Sequence, residues 1–440
     1  MLSRWMRHLT LTLVVLVLAV VPFAQAQAQV IVDFYYPTAV DGPITQVIQG
    51  YAQQFEAKHP NIKINPIYTG SYTQTRETIR TEIAAQDLIV DVAVMLATDL
   101  TSFVEEESIV RLQGFVDAMP EGEAFLDNFF PAFLLNSVDE EGTLWSIPFQ
   151  RSTPILYYNA DLFKAEGVEV PRNIDELIAV AQKLHTPERA GLLMPVAGGF
   201  PIWLYQSFAA GFGQPIVEAD PATVYFNSEA SLQAVEFLTK LGMSPADGGF
   251  GVGPMGGSVW GDTPTAFTSG QAAMIYHTTG SLTNILRNAT FEVGVAFLPS
   301  APANAEGIGY AAPTGGGNLY IFADADPAVQ EAAWLWVQFL ASDEIQSDWG
   351  ANTGYIAATF GAWDIDPLKS LTEEKPQYAV ARDQLAYAYK EFDSYRSIDV
   401  QNIINTTLSG IISGNTPLAQ AQQALDTAQA QIDSLLAEYR

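Results

Sequence analysis

From Val30 to Leu96 the chain alternates between two hydrophobic periods, and that alternation leaves few architectures open. Val30 to Tyr36 is apolar and rich in β-formers. Ile44, Val47, Ile48, Tyr51 and Phe55 then recur at helical spacing until His59-Pro60 halts them, because the residue before a proline is driven out of the helical region. Ile62 and Ile64 alternate with polar neighbours up to Pro66-Ile67-Tyr68, Tyr72 to Ala85 has the make-up of a second helix, and Val90 to Leu96 is a third apolar run. The order βαβαβ predicts an α/β sheet with helices over its faces. Right-handed crossovers place ligand sites beyond the carboxyl ends of such strands, where Tyr36 and the turn Thr69-Gly70-Ser71-Tyr72 stand.

The pattern restarts after Pro148-Phe149-Gln150-Arg151-Ser152-Thr153-Pro154, with Ile155 to Tyr158 as a strand and Ile174 to Leu184 as an amphipathic helix. At 440 residues, 48% hydrophobic and 16% charged, the chain has material for more than one core. Asp247 to Gly257 reads as a surface loop, Thr314 to Asn318 as a glycine turn before a strand at Leu319 to Phe322, and Thr416 to Tyr439 as a helix opened by Thr416-Pro417. Residues 29–152 with about 313–343 are expected to form one lobe, and 153–312 with about 344–440 the other.

Residues 1–28 carry Arg4 and Arg7, an apolar run from Leu9 to Phe23, and two Ala-Gln-Ala sites. They read as a cleavable signal peptide, so the protein is expected in the periplasm or outside the cell. Removing its two arginines takes the formal charge from −29 to −31. Such an acid excess repels nucleic acid and anionic membranes. The absence of cysteine rules out disulfides, thiolate chemistry and an acylated cysteine anchor.

Catalytic and metal signatures are missing. His59, His185 and His277 are the histidines beyond the signal segment, and there is no His-Glu-x-x-His, Gly-x-Ser-x-Gly or Walker loop. No cofactor or metal is expected. Gly251-Val252-Gly253-Pro254-Met255-Gly256 has dinucleotide-type glycine spacing but no strand before it, and acid runs such as Glu105-Glu106-Glu107 read as solvated faces. Aromatics in glycine- or threonine-bearing turns stand out instead: Phe200 and Trp203 after Gly198-Gly199, Trp260 before Gly261-Asp262-Thr263, and Tyr355 after Thr353-Gly354. Aromatic faces accept the C–H surfaces of sugars and polyols, while small polar groups bond their hydroxyls.

The segments Gly70-Ser71-Tyr72, Ser152 to Asn159, Thr279 to Ile285, Gly315-Gly316-Gly317 and Trp349 with Thr353-Gly354-Tyr355 resemble extracellular solute-binding proteins of ABC importers, in the sugar and glycerol-3-phosphate-binding group. The resemblance spans nearly all of the chain after the signal. It implies an α/β fold of the type II periplasmic-binding-protein kind, with two lobes joined by crossing segments around a cleft that closes by hinge motion. It also implies a monomer that delivers its ligand to a membrane permease. Carried over, Tyr36 and Tyr72 would face Phe200, Trp203 and Trp260, with Ser152, Gly280, Ser281, Gly316 and Tyr355 adding hydrogen bonds. Gln401 stands where the phosphate-binding members have an arginine, and Thr73 where they have an acid; Arg151 and Arg396 are the available substitutes for gripping an anion. The expected ligand is a polyol phosphate, a glycerophosphodiester or a sugar. The competing reading is an exported hydrolase of glycans or glycerophosphodiesters, which requires a pair of carboxyl groups across the cleft.

Overall fold

The computed structural model describes residues 29–197, 201–218 and 220–440, so the signal segment and Phe200 lie outside the described residues. Its strands are β1 (Val30–Tyr36), β2 (Ile62–Tyr68), β3 (Val92–Leu96), β4 (Ile147–Ser152), β5 (Pro154–Asn159), β6 (Ala190–Leu193), β7 (Ala272–Thr278), β8 (Val293–Ala296), β9 (Ala312–Pro313), β10 (Gly315–Ile321) and β11 (Ala388–Tyr389). The two larger sheets have the orders β2-β1-β3-β10-β4 and β6-β7-β5-β8, and β11 pairs with β9 in a two-stranded one. β1 runs parallel to β2 and β3, as the βαβαβ pattern requires, and β10 enters antiparallel between β3 and β4. Each of the two larger sheets is the centre of one α/β lobe.

The first lobe folds for reasons visible in its sequence. The helix Ile44–Lys58 buries Ile44, Ile48, Tyr51, Ala52 and Phe55, one apolar stripe at helical spacing. The helix Tyr72–Ala85 opens with a capping box: the Ser71 hydroxyl accepts from the Gln74 N–H, and Gln74 Oε1 accepts from the Ser71 N–H at 2.8 Å. This satisfies two otherwise unpaired donors and fixes Tyr72 at the first helical position.

The chain crosses between the sheets without loops. Thr153 alone separates β4 from β5, and Thr314 alone separates β9 from β10. The crossings are tied together, since Thr153 Oγ1 donates to the Pro313 carbonyl at 2.9 Å and Gln384 Nε2 donates to Thr153 Oγ1 at 2.9 Å. Arg151 pins the same region: it donates to Thr314 Oγ1 at 2.9 Å and Asn318 Oδ1 at 3.1 Å, and lies over the Phe133 ring at 5.1 Å.

The helix Asp343–Thr353 departs from the sequence division, which gives residue 344 onward to the second lobe. It packs on the helix Ile44–Lys58, where Tyr51 donates to Asp348 Oδ2 at 2.7 Å, and Trp349 stacks on Phe149 of the first sheet at 4.7 Å. Trp349 needs a large apolar bed, and the first lobe supplies it. No helix among the described residues is long and apolar enough to cross a membrane.

Candidate ligand-binding cleft

The carboxyl ends of β1, β2, β3, β4 and β7 converge on one cavity of about 220 Å³ between the lobes. Thr38 and Ala39 follow β1, Ser71 and Tyr72 follow β2, Thr98 follows β3, and Ser152 and Thr278 end β4 and β7; all line it. This is where an open α/β sheet is expected to receive a ligand.

Its walls are aromatic. Trp203 and Trp260 meet edge to face, with centroids 5.6 Å apart. The Trp203 indole N–H donates to the Thr314 carbonyl at 3.1 Å, and that of Trp260 donates to the Ala39 carbonyl at 3.1 Å. The second bond spans the mouth, from the second lobe to the first. Across the cavity, Tyr72 Oη accepts from Gln150 Nε2 at 2.7 Å, and Tyr355 stacks on Trp349 at 5.8 Å. The Trp203 and Trp260 indole N–H groups and the Tyr72 phenol oxygen thus have partners, leaving ring faces to the ligand. Two glycines permit this arrangement. A Cβ on Gly280 would lie 2.8 Å from the Tyr355 ring, and one on Gly315 would lie 2.7 Å from Trp203.

Of the residues singled out from the sequence, Tyr72, Ser152, Trp203, Trp260, Gly316 and Tyr355 line the cavity. Gly280 lies beneath Tyr355 as its bed. Ser281 opens on a smaller adjoining cavity, its hydroxyl 2.9 Å from His277 Nδ1. Tyr36 is spent on packing, buried between Phe34 and Tyr68. Neither arginine lines the cavity. Arg151 is fully buried and committed to the crossing strands. Arg396 is a surface residue, paired with Asp399 at 2.6 Å, because its position before the helix Ser397–Ile412 sets it beside the acid of that helix's first turn. Trp203 stands in the helix Pro201–Gly211 rather than in a turn.

Several lining residues escaped the sequence reading, Gln206, Phe392 and above all Glu391. The backbone of Glu391 is clamped by Asn136, whose Oδ1 accepts from its N–H at 3.0 Å and whose Nδ2 donates to its carbonyl at 3.1 Å. Burial pushes the Glu391 carboxyl up to about 8, against the pull of Arg151. Burial likewise raises Asp393 to about 7, although the Thr101 hydroxyl donates to it at 2.7 Å. The flanking Tyr389 and Phe392 were the available hint that this acidic stretch is no solvated face. Gln401, at the position where the resemblance puts an arginine in phosphate-binding members, does line the cavity. Among the described residues no group of three or more His, Cys, Asp or Glu could hold a metal ion.

Residues 50–376 match the family model of the bacterial extracellular solute-binding protein. Among curated relatives, the sn-glycerol-3-phosphate-binding periplasmic protein UgpB of Pectobacterium atrosepticum is 26% identical, over 96% of this chain and 95% of its own. UgpB of Escherichia coli O1:K1 is 27% identical over 99% of each chain. Among solved structures, UgpB from Mycobacterium tuberculosis in complex with glycerophosphocholine superposes with a TM-score of 0.77 at 21% identity, over 93% of this chain and 98% of that one. Maltose-bound MalE3 of T. maritima gives 0.77 at 21%, over 92% and 100%. The structural likenesses carry the two-lobed fold, and the family match carries membership: the chain belongs to the bacterial extracellular solute-binding proteins, the capture subunits of ABC importers.

Proposed function

We propose that this protein captures a small polyhydroxylated solute between its lobes, by hinge closure, and hands it unchanged to an importer's permease as a monomer. One observation carries this reading: a cavity at the strand ends is walled by Tyr72, Trp203, Trp260 and Tyr355 and dotted with neutral hydrogen-bonding groups from Ser152, Thr278 and Gln401. Stacked rings take the apolar faces of a sugar or polyol, and hydroxyls and amides both give and accept bonds with its hydroxyl groups. The names of the relatives widen the class to glycerol phosphates and glycerophosphodiesters. Capture without chemistry is supported by the lining. A two-carboxylate hydrolysis needs partners flanking the scissile bond, and Glu391 is the one acid among the described lining residues.

Calorimetric titration against sugars, polyols, glycerol-3-phosphate and glycerophosphocholine, followed by recovery of the ligand, tests this. One-to-one binding with the ligand recovered intact is expected. Turnover of the ligand, or no binding by any member, contradicts it.

A further inference from the structure

Charge is distributed unevenly around the cleft. Among its described lining residues none is Lys, Arg or His, and one is an acid, Glu391. That side chain is 7% exposed, and its Oε2 has no hydrogen-bond partner among the described residues. An unpartnered buried carboxyl oxygen is expensive to maintain. The groups facing it do not supply the missing bond. Arg151, on β4, acts on it through space while its two terminal nitrogens reach Thr314, Asn318 and the Gly316 carbonyl; its Nε has no partner among the described residues and makes no bond to Glu391. Asp99 is ion-paired with Arg76, Asp393 takes the Thr101 hydroxyl, and the phenol of Tyr72 accepts from Gln150.

Resting on the capture reading above, we propose that Glu391 selects the charge of the ligand: its carboxyl group takes a hydroxyl of an uncharged, polyhydroxylated solute, and the site turns phosphomonoesters away. A hydroxyl donated to a carboxylate makes a charge-assisted bond. The same solute's other hydroxyls match Ser152, Thr278 and Gln401, which line the cavity and can give as well as accept. A phosphomonoester would bring close to two negative charges into an aromatic-walled cavity whose described lining offers no cation and one carboxyl group. A simple cation would meet the carboxylate but leave the neutral hydroxyls and amides unmatched.

Protonation gives the proposal a second readout. Burial holds Glu391 at about 8 in the ligand-free chain, and a ligand that donates to the ionised form binds that form better. Affinity for the neutral solute therefore rises with pH until about 8 and then levels off. A carboxyl group with a purely structural role leaves affinity flat.

The test is calorimetry with four probe classes: pentitols and hexoses, maltose, glycerol-3-phosphate, and choline. A neutral probe is expected to bind, with glycerol-3-phosphate weaker by ~100-fold or more, a charge left unpaired on burial. Glu391→Gln is expected to weaken the neutral ligand by about tenfold, the loss of one charge-assisted bond, and to flatten the pH profile. Glycerol-3-phosphate or choline binding as tightly as every neutral probe overturns the proposal, as does a wild-type affinity independent of pH between 6 and 9, a measurement that needs no variant. Silence from all four classes overturns the proposal, and silence from glycerophosphocholine as well overturns the capture reading itself.

Discussion

Among the described residues Arg151 is the largest charged side chain that is fully buried, and what it holds is the junction between the lobes. Replacing it with alanine strands the Thr314 and Asn318 acceptors and removes the one cation that acts on Glu391. Arg151→Ala is therefore expected to lower unfolding free energy by about 3 kcal/mol, the cost of leaving buried acceptors unpaired. Urea denaturation reads this directly; a variant of native stability would contradict it. The buried acids set a pH dependence. Glu391 near 8 and Asp393 near 7 hold protons that the unfolded chain, with carboxyls near 4.5 and 3.8, has released. The folded state binds more protons over that window, so stability is full below it and falls as pH rises through 8. Melting temperature against pH should show the decline in the ligand-free chain and a shallower one in Glu391→Gln; a rise across the window would reverse the sign. At this scale the sequence disclosed the aromatics, because Trp and Tyr beside glycine are conspicuous. It hid Glu391, because an acid in Lys390-Glu391-Phe392-Asp393 looks solvated until a partner from residue 136 clamps its backbone.

Elements with one buried face were legible, and those buried all round were not. The helices Ile44–Lys58 and Ile174–Leu184 have apolar stripes and appear where their periodicity puts them. The helix Pro201–Gly211 is buried on all sides along its first nine residues, so no stripe exists to detect, and the glycines before it read as a turn. β10 begins at Gly315, earlier than its apolar residues suggest. Glycine is a poor strand former, yet Gly316 has φ +86° and a Cβ there would meet the Gln150 carbonyl. Gly280 shows what such positions do for the cleft. Gly280→Ala should push Tyr355 off its bed and weaken ligand binding by about tenfold, on the scale of a core overpacked by one methyl group. Fluorescence titration checks it, and unchanged affinity would mean that Tyr355 is no wall of the site.

For the whole molecule, the two sheets and the abrupt crossings at Thr153 and Thr314 make a hinged clamp the natural mechanical reading. The restart of the strand pattern after residue 153 made two lobes legible, but not the docking of the helix Asp343–Thr353 on the first, since Trp349 chooses its bed in three dimensions. The Trp260 indole joins the lobes through the Ala39 carbonyl. Trp260→Phe keeps an aromatic ring and deletes that bond, so it should favour an open form and weaken binding about fivefold, the worth of roughly 1 kcal/mol. Small-angle scattering of the ligand-free variant should give a larger radius of gyration than wild type; equal radii would deny the bond a part in closure. The most direct measurement is a crystal structure of the chain with its tightest neutral probe. Density for an intact solute stacked on Trp203 and bonded to Glu391, between closed lobes, is the expected result; a ligand seated outside this cavity, or held there by a basic side chain, would contradict the account.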